Sequence, residues 1–174
     1  TIEAYSRRLC DQIKTEEPIL IGLSFGGMIA VEVAKWITTE KIILIASAKS
    51  RKEIPFYYKL AGFLKLHKLL PAKLLTRPNR LAFWLFGTTN KQEEKLLSDI
   101  LAETNPVFLN WAIDKIINWK NTITPENIWH IHGSADRILP IAFIKPNVRV
   151  SHGGHFMALN KAKELSDLIL QEIS

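Results

Sequence analysis

The feature that most constrains the fold of this chain is a five-residue stretch at 22–26, Gly-Leu-Ser-Phe-Gly. It follows a short apolar run at 19–21 and opens an apolar, helix-forming segment. This order predicts a strand, a sharp turn and a helix, with Ser24 at the apex of the turn. We expect a strained backbone at Ser24 and no room for a Cβ at the glycine on either side. Such a turn would hold the Ser24 hydroxyl clear of the sheet and aim it at a substrate.

Other apolar runs predict the elements around this turn. Strands are predicted at 41–46, 127–133 and 147–150, and the continuous apolar run at 41–46 is typical of a strand buried on both faces of a parallel sheet. Periodicity and breakers predict helices at 2–15, from about 26 to 38, and at 56–70, 72–76, 79–86, 91–103, 106–119 and 161–173. We therefore predict an α/β fold, with flanking helices on a parallel sheet of about four strands.

The middle of the chain differs from both ends, because the strands stop after about residue 48 and resume near residue 125. We predict a core made of residues 1–48 and 125–174, with residues 49–124 as a helical insertion. The insertion is rich in aromatic residues, which more often form a core than a binding pocket. Since it lies between two strands of one sheet, we expect it to cap the strand ends.

A serine hydroxyl is a poor nucleophile at neutral pH and needs a base that a carboxylate orients. Asp136 follows the strand at 127–133, and His155 lies in a glycine-flanked loop after the last strand. The carboxyl ends of parallel strands meet at one edge of a sheet, where active sites of open α/β sheets form. We therefore expect Ser24, Asp136 and His155 to lie together.

Each of these assignments has an alternative. Asp136 could serve only as a turn former, in which case Glu53 is the poorer alternative acid. His152 lies close to His155 in sequence, but only His155 has two glycines before it and a phenylalanine after it. His132 is expected to be structural. His67 and His130 belong to no motif.

Three segments together resemble the α/β-hydrolase family. The stretch at 22–27 resembles the family's nucleophile elbow, residues 132–140 its acid loop, and residues 153–156 its histidine loop. They occur in the family's order, and the resemblance covers the chain from about Tyr5 to the end. The helical insertion resembles the family's cap.

The resemblance implies a role for each residue. Ser24 would be the nucleophile, His155 the general base and then acid, and Asp136 the residue that orients His155, while the backbone N–H of Phe25 would donate to the oxyanion. It implies a cofactor-independent, metal-free serine hydrolase (esterase or thioesterase type) acting on a small-molecule ester or thioester with a mainly apolar acyl group. Carbon–carbon bond hydrolases share this triad, so the substrate is left open. No nucleic-acid partner is expected.

The chain departs from the family before the elbow, where relatives usually have several strands and a loop that supplies a second oxyanion N–H. We therefore expect an N-terminally shortened fold, with the strand at 19–21 on an open edge. Losing one oxyanion donor typically lowers kcat by roughly 10² to 10³. Three explanations stay open: part of a longer protein, a compact variant that forms a homodimer through the edge, or a catalytically weak or inactive hydrolase-like protein that binds ligand.

The net charge of +6 is concentrated in one segment, since nine basic residues and one acidic residue lie from Lys49 to Arg80. A solvated helix face is the favoured explanation, over an anionic substrate or a membrane surface. Cys10 is the only cysteine, so it forms no internal disulfide; we expect a buried small group and a reducing, cytoplasmic setting. The sequence shows no signal peptide and no apolar run near the ~20 residues that span a bilayer.

Overall fold

The computed structural model describes residues 1–69 and 76–174. In that part of the chain, four parallel strands form one sheet in the order of the sequence. They are β1 (Ile19–Leu23), β2 (Lys41–Ile45), β3 (Ile128–Gly133) and β4 (Val148–Val150). This confirms the predicted α/β architecture and its parallel sheet.

Helices pack on both faces of this sheet, and others follow one another in the chain between β2 and β3. They are α1 (Ile2–Cys10), α2 (Phe25–Val33), α3 (Phe56–Phe63), α4 (Arg80–Phe86), α5 (Lys91–Glu103), α6 (Pro106–Ile117), α7 (Met157–Asn160) and α8 (Ala162–Ile173). Short 3₁₀ turns occur at Arg51–Glu53, Leu66–Leu69 and Ile141–Phe143. Three consecutive helices begin after an asparagine whose side chain accepts a backbone N–H of the first turn: Asn79, Asn90 and Asn105.

The alternation of side chains along β2 explains why its sequence is apolar throughout. Ile42 and Leu44 belong to a core shared with α2, whereas Ile43 and Ile45 belong to a second core shared with α7 and α8. All four side chains are buried. The prediction of a strand buried on both faces is therefore confirmed.

Several helices end earlier than the periodicity predicted. Helix α1 stops at Cys10 rather than 15, and Ile13 still packs against the core although it lies in the turn that follows. Helix α2 stops at Val33 rather than near 38, and the chain continues in hydrogen-bonded turns. Apolar spacing marks residues that face the core, and such residues need not be helical.

The predicted helix at 56–70 is also wrong in its second half. Helix α3 ends at Phe63, Lys65 has a φ of 56°, and a 3₁₀ turn follows. The helix predicted at 72–76 falls almost wholly on residues 70–75, which lie outside the described residues. The single terminal helix predicted at 161–173 begins at Ala162 and is preceded by the separate short helix α7.

Strand β1 is an edge strand, as predicted. Within the described residues it pairs with β2 on one side and with no strand on the other. Ile21 is 54% exposed there, so an apolar side chain lies at the open edge. The exposed edge leaves backbone groups available for pairing with another strand.

Two smaller predictions can be compared with the structure. Cys10 is half-buried rather than buried, and its thiol donates to the carbonyl oxygen of Ser6 at 3.4 Å. Among the described residues, no helix combines the length and the apolar character that crossing a membrane requires.

Candidate active site

Ser24 lies between β1 and α2 with a backbone φ of 50° and ψ of −119°. A non-glycine residue rarely adopts this conformation, and its cost has to be offset by surrounding contacts. The Ser24 N–H donates to the carbonyl oxygen of Ile45 at 2.9 Å, and the Ser24 carbonyl oxygen accepts from the Gly27 N–H at 3.0 Å. The predicted strain at the apex of the turn is confirmed.

The glycines around Ser24 do not all have the predicted role. A Cβ at Gly22 would lie 2.5 Å from the Gly26 carbonyl oxygen, so glycine is needed there, as expected. At Gly26, however, a Cβ would meet nothing within 4 Å, so that prediction is wrong. The second position that needs glycine is Gly27, where a Cβ would overlap the side chain of Ser47.

Ser47 was missed by the sequence reasoning. Its buried hydroxyl donates to the Ser24 carbonyl oxygen at 2.7 Å and so helps to hold the strained turn. The only signal for such a contact is the extra glycine at position 27, which leaves room for a side chain from the end of a neighbouring strand.

The structure brings Ser24, His155 and Asp136 together. His155 Nε2 lies 2.8 Å from Ser24 Oγ, and His155 Nδ1 lies 2.8 Å from Asp136 Oδ2. An ionised carboxylate can only accept, so Nδ1 donates to Asp136 and the neutral ring leaves Nε2 to accept the Ser24 hydroxyl proton. This is the arrangement in which a histidine can remove a proton from a serine.

Asp136 also forms the turn that was considered as its alternative role. Its Oδ1 accepts from the N–H groups of Ile138 at 2.9 Å and Leu139 at 2.8 Å, and its side chain is fully buried. The two roles are compatible, because one carboxylate oxygen forms the turn while the other accepts from His155.

Hydrogen bonds also join the acid loop to the histidine loop. The Ser134 N–H donates to Val150 O and the Ala135 N–H to Gly153 O, each at 2.9 Å. The His152 N–H donates to the Ser134 hydroxyl at 2.9 Å. These bonds fix the spacing between the loops that carry Asp136 and His155.

No protein-family model matches the sequence, and no curated protein matches it significantly. Solved structures do match the fold. An esterase from Thermogutta terrifontis with malate bound is 17% identical, with a TM-score of 0.65 over 99% of this chain and 72% of that one. An alpha/beta hydrolase fold protein from Burkholderia ambifaria is 16% identical, with a TM-score of 0.64 over 97% of this chain and 71% of that one. The chain has an α/β-hydrolase fold.

A third solved structure is the meta-cleavage product hydrolase from Pseudomonas fluorescens, in a mutant form complexed with acetates. It is 15% identical, with a TM-score of 0.65 over 98% of this chain and 71% of that one. At such identities the likeness establishes the α/β-hydrolase fold, and the chemistry has to be argued from the residues of this chain.

Within this α/β-hydrolase fold, the alternative residues lie in other environments. His152 is exposed on the loop surface. The Glu53 carboxylate accepts from the backbone N–H groups of Lys49 at 2.7 Å and Lys145 at 3.1 Å. His67 is buried with Nε2 2.9 Å from Asp114 Oδ1.

A pair of buried histidines lies beneath the acid loop. His132 Nε2 donates to the Leu139 carbonyl oxygen at 2.8 Å, and its Nδ1 lies 3.3 Å from His130 Nε2. Burial, followed by the nearby charges of His132 and Lys49, lowers the pKa of His130 to about 3. Burial also lowers the pKa of His132, although Asp136 opposes this effect. Both rings are therefore neutral near pH 7, and His132 supports the loop.

Helix α4 lies directly against the histidine loop, a contact that sequence reasoning missed. The Phe86 ring packs edge-on to the His155 ring at 5.6 Å, and the Phe86 carbonyl oxygen accepts from the Phe156 N–H at 2.9 Å. A Cβ at Gly154 would lie 3.1 Å from the same oxygen. The close approach of the two backbones favours glycine at position 154.

The residue after Ser24 connects the site to an aromatic cluster. The Phe25 N–H opens α2, where the first N–H groups of a helix have no intrahelical partner and attract negative charge. The Phe25 ring packs edge-on to Trp111 at 5.7 Å and to Phe108 at 6.4 Å. These two rings and Tyr5 line an open groove of about 920 Å³ between α1 and α6. The groove thus approaches the site through Phe25, although no triad side chain lines it.

Proposed function

We propose that this protein is a serine hydrolase that cleaves an ester or thioester with a mainly apolar acyl group. The observation that carries the proposal is the continuous relay from Asp136 through His155 to Ser24, with both hydrogen bonds at 2.8 Å. Hydrolase and esterase names among structures of the same fold support this reading. The aromatic groove beside Phe25 supports an apolar acyl group.

The mechanism proceeds in two halves. His155 Nε2 takes the Ser24 proton as Oγ attacks the carbonyl carbon, and Asp136 stabilises the imidazolium that forms. The Phe25 N–H donates to the oxyanion, and His155 then protonates the leaving group to give the acyl-enzyme. A water molecule that His155 deprotonates releases the acid and restores Ser24. We further propose that residues 49–124 act as the cap, since α4 contacts the histidine loop.

Labelling with a fluorophosphonate probe tests the proposal, read by intact mass and peptide mapping. We expect one label per chain at Ser24, and no label in Ser24→Ala or His155→Ala. His152→Asn is the matched control, because it changes an exposed histidine of the same loop and should label normally.

The main alternative is a ligand-binding protein with weak or no turnover. A single assigned oxyanion donor and the open edge beside β1 favour it. A folded wild-type chain that takes no label and hydrolyses none of a series of esters and thioesters would support that alternative and overturn the hydrolase proposal.

A further inference from the structure

Helix α3 reverses the usual arrangement of a surface helix. Its buried position is Gly62, where a Cβ would overlap the Ile117 side chain of α6. Tyr58 packs against the main core, but Phe56, Leu60 and Phe63 are exposed, and Phe63 is 82% exposed. A helix in a globular protein ordinarily turns its apolar stripe toward the core. Lys65 and Lys68 follow the end of the helix.

The exposed residues form one continuous face. Phe56, Leu60, Phe63 and Leu64 are spaced at i, i+4, i+7 and i+8, which places them on one side of α3, and each is more than half exposed. We refer to these four residues as the α3 face. The 3₁₀ turn that follows in the chain also has an exposed apolar residue, Leu69, which is 77% exposed. Contiguous apolar patches of this kind mark interaction surfaces.

The charged side chains around the α3 face are basic. Residues 51–69 contain five lysines and arginines: Arg51, Lys52, Lys59, Lys65 and Lys68. The only acidic residue in that range, Glu53, is buried and accepts two backbone N–H groups. Asp114 of α6 reaches the segment, but it is bonded to both His67 and Lys115. The accessible surface around the face is therefore apolar and positively charged.

We propose that the α3 face docks on the surface of an anionic lipid bilayer. The phenylalanine and leucine side chains would enter the boundary between headgroups and acyl chains, and the basic side chains would bind lipid phosphates. Charge complementarity decides between this occupant and a second copy of the chain. A second copy would bring an equally positive surface against the first, whereas an anionic bilayer satisfies the apolar and the basic residues together.

Contacts of α3 fix how the docked face relates to the triad. The Tyr58 hydroxyl donates to the Ile138 carbonyl oxygen at 2.9 Å, and the Ile138 N–H donates to Asp136. The Tyr57 ring packs edge-on to Phe143 at 5.9 Å. A bilayer bound to α3 would therefore lie at a fixed distance from the acid loop. The docking itself does not rest on hydrolase activity.

Vesicle flotation of the full chain tests this inference, using Ser24→Ala as the parent so that no lipid can be consumed. The vesicles contain phosphatidylcholine alone, or equal parts of phosphatidylcholine and phosphatidylglycerol. We expect binding only to the second kind. The lysine variant is Lys59→Gln, Lys65→Gln and Lys68→Gln together. Its control removes the same charge from exposed positions elsewhere: Lys91→Gln, Lys95→Gln and Lys163→Gln.

The lysine variant should bind on the order of a hundredfold more weakly, because each basic residue near an anionic surface contributes about 1 kcal/mol. Its control should keep most of the binding. The apolar variant is Leu60→Ser with Phe63→Ser, and its control is Leu170→Ser with Ile173→Ser on α8. Only the apolar variant should lose binding. If circular dichroism shows the apolar variant to be unfolded, the comparison of the lysine variant with its control tests the proposal.

Three results would overturn the proposal: no binding to either vesicle, equal binding to both, or equal losses in the lysine variant and its control. Sedimentation velocity tests whether a second copy of the chain binds the α3 face instead. Self-association that the apolar variant abolishes, without vesicle binding, would assign the face to a second copy. Failure of vesicle binding leaves probe labelling at Ser24 unaffected, so the two proposals fail separately.

Discussion

The two halves of the candidate site differ in how completely this chain builds them. The acid and histidine loops follow the adjacent strands β3 and β4, they are hydrogen-bonded to each other, and both Asp136 oxygens accept protein donors. Ser24 instead follows β1, whose outer side has no partner strand within the described residues. Only one oxyanion donor, the Phe25 N–H, is proposed there.

In the proposed mechanism the first half transfers the proton and the second stabilises the oxyanion, so the two functions can be perturbed separately. The half of the site that carries Asp136 and His155, the relay half, depends on contacts inside the sheet and its loops. Single substitutions there should therefore change the reaction rate or the stability of the whole domain. The half that carries Ser24, the nucleophile half, borders an open edge. Substitutions there should therefore change the stability of the turn or the association with another strand.

The largest effect is expected from Asp136→Asn, which breaks the relay half. An amide in this position can donate to His155 Nδ1, which favours the wrong tautomer and should lower kcat for ester hydrolysis by about 10⁴. Glu53→Gln is the control, because it alters the alternative acid. A larger loss of kcat in folded Glu53→Gln than in Asp136→Asn would refute the assignment.

A pair of glycine substitutions tests the nucleophile half. Gly27→Ala should lower the free energy of unfolding by about 1–3 kcal/mol, because its Cβ overlaps Ser47. Gly26→Ala should leave stability unchanged or raise it by up to about 1 kcal/mol, because its Cβ meets nothing and alanine favours a helix. Urea unfolding measures both. Ser47→Gly alone should also destabilise the chain, because it removes the hydrogen bond to the Ser24 carbonyl oxygen. Combined with Gly27→Ala it relieves the overlap, so the double variant should lose less than the sum of the two single losses, and additive losses would argue against this contact.

Mild acid should weaken the relay half through the histidines beneath the acid loop. An unfolded histidine has a pKa near 6.5, whereas that of folded His130 is about 3. Below pH 6.5 the unfolded chain binds a proton that the folded chain does not, so stability is full above this pH and falls as the pH drops toward 3. We expect a loss approaching about 1.4 kcal/mol per pH unit from His130 alone.

Urea unfolding between pH 7 and pH 5 measures that slope, and His130→Leu should make it shallower. His132, whose pKa burial also lowers, adds to the slope in the same direction. A flat dependence in the wild type would mean that these rings are not held neutral in the folded chain.

The smallest effect on stability is expected at the open edge. Ile21→Lys should change the free energy of unfolding by no more than about 0.5 kcal/mol, because the side chain is exposed. It should nevertheless prevent strand pairing between copies, since a lysine on an edge opposes it. The homodimer explanation predicts, by sedimentation velocity, a dimer in the wild type and in the exposed control Ile100→Lys, but a monomer in Ile21→Lys. A monomeric wild type would exclude that explanation and leave the other two.

The sequence predicted the features that local patterns encode. The apolar run at 41–46 predicted a strand buried on both faces, and three motifs predicted that Ser24, Asp136 and His155 would lie close together. Contacts between distant segments leave little local signal. Ser47 reaches Ser24 from the loop after β2, and the Phe86 carbonyl reaches the histidine loop from the insertion. The sequence predicted a helix at 56–70 but not that apolar side chains of α3 face outward, since that depends on Gly62 meeting Ile117 of α6.

The bond from the Phe156 N–H to the Phe86 carbonyl oxygen joins α4 to the histidine loop. We expect an outward displacement of α4 to draw this loop, and His155 with it, away from Ser24. We therefore expect substrate approach along α4 and the proposed acylation of Ser24 to occur in turn. While α4 is displaced, His155 would be too far from Ser24 to take its proton.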